Sequence, residues 1–264
     1  MKKIIFSDFD NTLLNYNEGD KIFDDYRINI LKGIKDKGIK LGIVTGRTVA
    51  FFRQFPELLE IVDYIMGSNG ACVYDVKNDK YIYQDIIEED TFKSIVDWSC
   101  KYNHSFLINC LDKKYYMDVK KRFREFDMVC SDVYSKEEEY ICDQIILSVD
   151  EDVEKDVFSY LDNYKNIKVN NVSYATGFCN IDVCNDTVSK GHAVSWLCNY
   201  LDIDKKDTMA FGDGVNDRSM FEVVDKAIAM GNAIEQLKVV ASDVALECSE
   251  NGLYKYIEEN ILKG

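Results

Sequence analysis

Four apolar, β-branched runs in this chain each break off into small or polar residues, and that pattern restricts its fold more than any other feature. They are Ile4-Ile5-Phe6 before Ser7-Asp8, Leu41-Gly42-Ile43-Val44 before Thr45-Gly46-Arg47, Tyr64-Ile65-Met66 before Gly67-Ser68-Asn69, and Thr208-Met209-Ala210-Phe211 before Gly212-Asp213. A run that is apolar throughout suits a strand covered on both faces, as in a parallel sheet. Between the first two runs lies Asp25 to Lys37, with Ile28, Leu31 and Ile34 at helical spacing and Gly38 as a stop, which completes a βαβ unit. The rhythm returns near the end as a helix over Lys190–Leu201, the strand 208–211, a helix from Asp217, a strand over 227–230 and a helix from Ala233 to Ala241. The pattern predicts an α/β fold built on a doubly wound, Rossmann-like parallel sheet.

The middle of the chain reads differently. Ser105–Ile108, Lys114–Met117, Gln144–Val149 and Asn180–Val183 are mixed or alternating strands, with helical stretches at Glu88–Tyr102 and Glu151–Asn163. The expected organisation is therefore a core made of residues 1–82 and 184–264, interrupted by an inserted α+β domain over 83–183. A length of 264 residues accommodates one large or two smaller domains.

Ligands of open parallel sheets bind beyond the carboxyl ends of the strands, and Asp8, Asp10, Thr45, Asn69 and Asp213 all fall on that edge. Two aspartates directly after a buried run are mutually repelling charges in a costly place. They call for a cation or a chemical task.

A formal charge of −15 argues against nucleic acid or an anionic membrane as partner, so an anionic substrate has to be held by local cations. With 47% hydrophobic and 30% charged residues the chain reads as soluble and globular. It shows no signal peptide and no apolar stretch of membrane-spanning length, which predicts a cytoplasmic protein, and nothing in it calls for an obligate protein partner. Nine cysteines without a CxxC pair read as reduced, mostly buried thiols, and the Asn-x-Ser/Thr triplets at Asn103, Asn171 and Asn185 read as chance.

FSDFDNTLL at the start, IVTGR at 43–47, Ser189-Lys190-Gly191 and FGDGVND at 211–217 resemble, in this order, the four motifs of the haloacid dehalogenase-like superfamily. MGSNGA at 66–71, AMGNA at 229–233 and the placement of the insert resemble its Cof-type branch of phosphatases. The resemblance implies a Mg²⁺-dependent phosphatase of small phosphorylated metabolites, either sugar phosphates or phosphorylated cofactors, with the insert as a cap. Asp8 would attack phosphorus to form an aspartyl-phosphate, and Asp10 would protonate the leaving alcohol and then activate water. Asp8, Asp213 and the backbone carbonyl of Asp10 would hold the metal. Thr45, Gly46, Lys190 and Asn216 would bind the phosphoryl group, with Asn69 close by. Asp217 would orient Lys190 or a metal-bound water, and Arg47 is either a substrate contact or a surface charge. Asn11 stands where Cof-type members usually have glycine, and asparagine is among the residues that best tolerate a left-handed backbone.

The residues support this chemistry independently. Positions two apart on a strand face the same way, so Asp8 and Asp10 can address one site. Phosphomonoester hydrolysis needs an attacking group, an acid for the leaving oxygen and positive charge around the phosphoryl. A lysine at a helix start opposes the helix dipole, which favours a ligand role for Lys190. An EF-hand is excluded at both acidic loops, because Leu13 and Gly19, or Arg218 and Val224, stand where glycine and glutamate are required. Gly212–Asp217 lacks the final glycine of a dinucleotide loop. A signalling receiver would lack the DxD spacing, and a non-catalytic phosphate binder would not keep all four motifs. A hexose-phosphate mutase, a phosphotransferase sharing this core, stays as the alternative. His104 and His192 lack partners at metal spacing and read as structural, and KKYYMDVKKRFREF at 113–126 reads as a solvated face.

Overall fold

The computed structural model describes residues 3–15, 23–123, 131–136 and 138–263; Cys130 and positions 124–126 of the basic, aromatic segment lie outside them. In chain order, β1 (Ile4–Ser7), β2 (Lys40–Val44), β3 (Tyr64–Gly67), β4 (Cys72–Asp75) and β5 (Lys80–Gln84) belong to one sheet. The chain then builds a second sheet from β6 (Ser105–Cys110), β7 (Lys113–Met117), β8 (Ser131–Val133), β9 (Gln144–Asp150), β10 (Ile167–Ala175) and β11 (Phe178–Asn185). It returns to the first with β12 (Thr208–Gly212), β13 (Lys226–Ala229) and β14 (Asp243–Val244). The first sheet has the order β14-β13-β12-β1-β2-β3-β4-β5, and the second β10-β11-β9-β6-β7-β8.

The first sheet is parallel from β14 to β3, and β1 pairs with β12 on one side and β2 on the other. That arrangement brings the ends of the first and last motif-bearing runs side by side. Ile4, Ile5 and Phe6 are fully buried, together with Ile43, Val44, Ile65, Met66 and Phe211 from the neighbouring strands. Each such side chain contributes about 1.5–3 kcal/mol by leaving water. The helix Asp25–Asp36 covers one part of this core with Ile30, Leu31 and Ile34. It starts at Asp24, whose carboxylate accepts from the Arg27 amide at 2.9 Å, and the chain leaves it through Gly38 at φ +72°. The helix Lys190–Tyr200 contributes Ala193, Val194 and Leu197.

At the far edge the sheet departs from the parallel pattern. β4 runs antiparallel to β3, and β5 antiparallel to β4. Chain length dictates this: only residues 68–71 separate β3 from β4, whereas a parallel partner needs a crossover of a dozen residues or more. The helix expected over 233–241 is also shorter, spanning Glu235–Lys238. The Ile234 amide donates instead to the Asp213 carbonyl at 3.1 Å, so the preceding residues brace an acidic loop rather than a helix.

The second sheet has its own core on one face only. Phe106, Ile108, Ile145, Leu147, Ile181 and Val183 point toward the helices Glu89–Lys101 and Glu154–Leu161, which supply Phe92, Ile95, Val96, Val157 and Leu161. The alternate residues form the opposite face, as period-two side-chain alternation requires.

Phe6 is central to the first core, and a Cβ on Gly42 of the adjacent strand would lie 2.9 Å from its ring. Phe6→Ala is expected to cost about 3–5 kcal/mol. Denaturant unfolding should show this as a lower midpoint with an unchanged slope.

Candidate active site

Phe9 fixes the tip of β1. Its ring is fully buried and packs against Phe52 at a centroid distance of 4.8 Å, with Phe51, Phe55 and Phe23 around it. With Phe9 anchored on one side, its neighbours Asp8 and Asp10 are left to the other. The chain then turns back on itself: the Leu13 and Leu14 amides donate to the Phe9 carbonyl at 3.0 and 2.8 Å, and Asn11 takes a left-handed backbone at φ +59°. Asparagine therefore fills the position usually given to glycine without distorting the loop.

Asp8 is buried, and its Oδ1 accepts from Lys190 Nζ at 2.6 Å. The same ammonium donates to Asp217 Oδ1, also at 2.6 Å. Lys190 is only 1% exposed and begins the helix Lys190–Tyr200, where the preceding Ser189 hydroxyl accepts from the His192 amide. The close approach of this helix depends on Gly191, since a Cβ there would lie 2.2 Å from the Ser219 carbonyl oxygen. Asp217 Oδ2 accepts from the Asp213 and Gly214 amides, both at 2.9 Å. Gly212 makes room for that carboxylate, because its Cβ would come within 2.5 Å of Asp217 Cγ. Asp213 is held by the Thr12 hydroxyl at 3.1 Å.

One oxygen from each of Asp8, Asp213 and Asp217 lies within 4.8 Å of the others. Burial pushes the Asp8 carboxyl well above the usual range; Lys190 opposes this, and Asp217 and Asp213 add to it. Burial, and then Asp217, push Asp213 up to about 6. Burial would lower the Lys190 ammonium, but the charges of Asp217 and Asp8 outweigh it and hold the lysine protonated. Three carboxylates against one ammonium leave −3 + 1 = −2 when all are ionised. An all-oxygen cluster with that deficit matches a hard divalent cation such as Mg²⁺. Both Asp217 oxygens are already engaged, which leaves Asp8 and Asp213 as the better donors.

The Asp10 carboxylate stands apart from this cluster. Arg47 grips it, with Nη2 at 3.0 Å and Nε at 3.3 Å, and the guanidinium also lies 5.0 Å from the centre of the Phe51 ring. Arg47 is thus neither isolated nor a plain surface charge. Thr45 is fully buried, and its hydroxyl oxygen accepts from the Arg47 amide at 3.1 Å. Gly46 lies against Asn69, and a Cβ there would be 3.4 Å from Asn69 Nδ2. Asn69 braces the turn by donating its amide to the Thr45 carbonyl at 2.8 Å and accepting Asn216 Nδ2 on its Oδ1 at 3.0 Å. Ser68 and Asn69 are both left-handed, at φ +48° and +60°. Such non-glycine conformations cost about 1–3 kcal/mol each and persist only where the surroundings hold them.

A cavity of about 300 Å³ lies between this edge and the second sheet. Its floor is Asp10, Gly46, Arg47 and Thr48; its roof includes Leu107, Asn109, Lys114, Ile146, Asn171, Ser173, Asn180 and Asp182. Burial raises the Asp182 carboxyl to about 7, and Asn171 opposes the shift. Among the described residues, the buried side-chain oxygens of Asn109 and Asn180 have no hydrogen-bond partner. Sequence reading missed these roof residues, although the alternation in Cys179-Asn180-Ile181-Asp182-Val183 carried the signal: Cys179, Ile181 and Val183 enter the second core and the polar pair faces away. The segment 113–126 is solvated at Lys113, Lys120 and Lys121, but Lys114 is buried in the roof, which corrects the solvated-face expectation there. His104 packs 5.0 Å from the Trp98 ring, and His192 6.0 Å from Tyr83; neither joins the acid cluster.

A parallel α/β sheet with a buried lysine among converging carboxylates, roofed by an inserted sheet, defines an enzyme of the doubly wound hydrolase type. The chain belongs to the haloacid dehalogenase-like hydrolases, in their Cof-type branch: the family's profile matches residues 5–257. Among curated relatives it is 25% identical to the 5-amino-6-(5-phospho-D-ribitylamino)uracil phosphatase YitU of Bacillus subtilis, covering 97% of this chain and 96% of that one. Its fold is similar to a haloacid dehalogenase-like hydrolase from Bacteroides thetaiotaomicron, with TM-score 0.85, 21% identity and 98% and 99% of the two chains covered. It is also similar to a subclass IIB sugar phosphatase, with TM-score 0.79, 24% identity and the same coverage. No helix among the described residues is long and apolar enough to cross a membrane.

Lys190→Met would leave the buried carboxylates facing one another. In metal-free buffer it is expected to lose about 3–5 kcal/mol of stability, as breaking a buried ion pair does. Chemical unfolding in the presence of a chelator measures this.

Proposed function

We propose that this haloacid dehalogenase-type phosphoric monoester hydrolase depends on Mg²⁺ and acts on small phosphorylated metabolites through an aspartyl-phosphate on Asp8. The observation that carries this reading is the buried Lys190 bridging Asp8 and Asp217 in a cluster whose three carboxylates, when ionised, exceed its one ammonium by two charges. In this reading Asp8 and Asp213, with the Asp10 backbone carbonyl, hold the ion. Bound there, Mg²⁺ neutralises the cluster and draws charge from the phosphoryl oxygens.

Lys190 and the Thr45–Gly46 turn grip the phosphoryl group, and Lys190 orients the Asp8 carboxylate for attack. As the Asp8 oxygen bonds to phosphorus, the ester P–O bond breaks. Asp10 faces the cavity that receives the leaving group, where it donates a proton to the departing oxygen. It then takes a proton from the water that releases phosphate from Asp8. Arg47, on the same cavity floor, positions Asp10 through their ion pair. Asp217 fixes Lys190 and, through the Asp213 and Gly214 amides, the acidic loop. Asn216 and Asn69 stabilise each other beside the turn.

The roof bounds the substrate. A cavity of about 300 Å³ sits at the small end of ligand sites, which favours a compact sugar phosphate or phosphorylated cofactor fragment. The Bacillus relative named for a phosphorylated ribitylamino-uracil makes ribityl phosphates a first set to assay.

Asp8→Asn is expected to lower aryl phosphate hydrolysis in Mg²⁺ more than about a thousandfold while circular dichroism stays that of the wild type. Substantial residual turnover would reject the covalent route. Asp10→Asn should lose about 10²–10⁴-fold in kcat. Chelation should abolish activity and added Mg²⁺ restore it.

A further inference from the structure

Asp143 sits just before β9, is completely buried, and belongs to none of the motifs above. Its Oδ2 accepts from the Ser68 hydroxyl at 3.2 Å and from the Leu111 amide at 3.4 Å, while Oδ1 has no partner among the described residues. Ser68 is not an ordinary surface serine. It is fully buried and left-handed, and its amide donates to the Arg47 carbonyl at 2.9 Å, next to the bond from the Asn69 amide to the Thr45 carbonyl. The two residues after β3 therefore hold the turn that the proposed chemistry assigns to phosphoryl binding. Four of the bonds fixing them come from the first sheet and its loops: to Arg47, to Thr45, from Asn216 and from the Ala71 amide to the Ser68 carbonyl. The fifth comes from the second sheet, through Asp143.

We propose that Asp143 is a positioning residue: by accepting the Ser68 hydroxyl it transmits the seating of the inserted sheet to the Thr45–Arg47 turn, so that phosphoryl affinity is complete only when that sheet is in place. The setting supports a mechanical role. Cys142, its neighbour, accepts from the Ile87 amide in the segment entering the second sheet at 2.8 Å, and Leu111 packs onto the first core. Asp143 thus stands where the two sheets meet. A left-handed serine also depends on its bonds, because the backbone alone disfavours that conformation. Burial pushes the Asp143 carboxyl up to about 7, so its neutral form is well populated near neutrality and asparagine is a fair mimic.

This inference rests on the phosphatase reading, and one set of assays separates the two: kcat and KM for an aryl phosphate and the inhibition constant of inorganic phosphate, all in Mg²⁺. Ser68→Gly removes the hydroxyl yet suits the left-handed backbone, and Asp143→Ala removes the acceptor. Each is expected to raise KM and the phosphate inhibition constant about five- to tenfold, with kcat changed by less than about threefold. The double variant should be no worse than the worse single, because Asp143→Ala already removes the Ser68–Asp143 bond along with the one from Leu111. Asp143→Asn, which keeps an acceptor oxygen, should stay within about twofold of wild type. A residue that only supported folding would lower the melting temperature and leave KM unmoved. Unchanged KM in Ser68→Gly, or effects that add in the double variant, would overturn the proposal. Should Asp143→Ala fail to fold, Ser68→Gly and Asp143→Asn decide the matter. Activity in Asp8→Asn would instead sink the phosphatase reading itself, whereas an inert Asp8→Asn beside a wild-type Ser68→Gly would sink only this inference.

Discussion

The buried ammonium of Lys190, shared between Asp8 and Asp217, is the contact on which the site's geometry depends. It joins three distant parts of the chain: the tip of the first strand, the start of the helix Lys190–Tyr200 and the loop after β12. Removing an ion from water costs several kcal/mol, so this arrangement survives only because each charge has partners at hydrogen-bond distance. The glycines nearby follow from it. Gly191 lets the lysine's helix approach Ser219, and Gly212 leaves space for Asp217. Neither reflects flexibility; both reflect the absence of room.

The sheet supplies the frame for that contact. Because β12 and β2 flank β1, the carboxyl ends carrying Asp8, Thr45 and Asp213 emerge side by side. The aromatic cluster around Phe9 then aims the acids away from the core. Packing places the backbone, and electrostatics determines what the side chains do once placed.

Much of this was legible in the sequence, for identifiable reasons. Continuous apolar runs mark strands buried on both faces, so β1, β2, β3 and β12 stood out and the acids and threonine at their ends followed, whereas Lys190 stood out as a cation at a helix start. The β4–β5 hairpin was not seen, because both strands are short, β5 is half-exposed, and the antiparallel turn follows from chain length rather than from periodicity. Asp10 and Arg47 could be named, but their mutual grip could not, since it depends on how two loops from different strands meet. Lys114 was hidden inside a basic segment in which Lys113, Lys120 and Lys121 are exposed. Asn109 and Asp143 are the hardest cases: a polar side chain in a strand or turn gives no sign, by itself, of which neighbour will cover it.

The two sheets keep separate hydrophobic cores, and that separation has a consequence for how such a molecule can diversify. The inward-facing side chains of the second sheet stabilise its own helices, while Asn171, Ser173, Asn180 and Asp182 on the other face support neither core. Mutation can rewrite that polar surface one position at a time without disturbing the charge balance beneath it. The reacting groups can therefore stay fixed over long lineages while the menu of accepted molecules drifts.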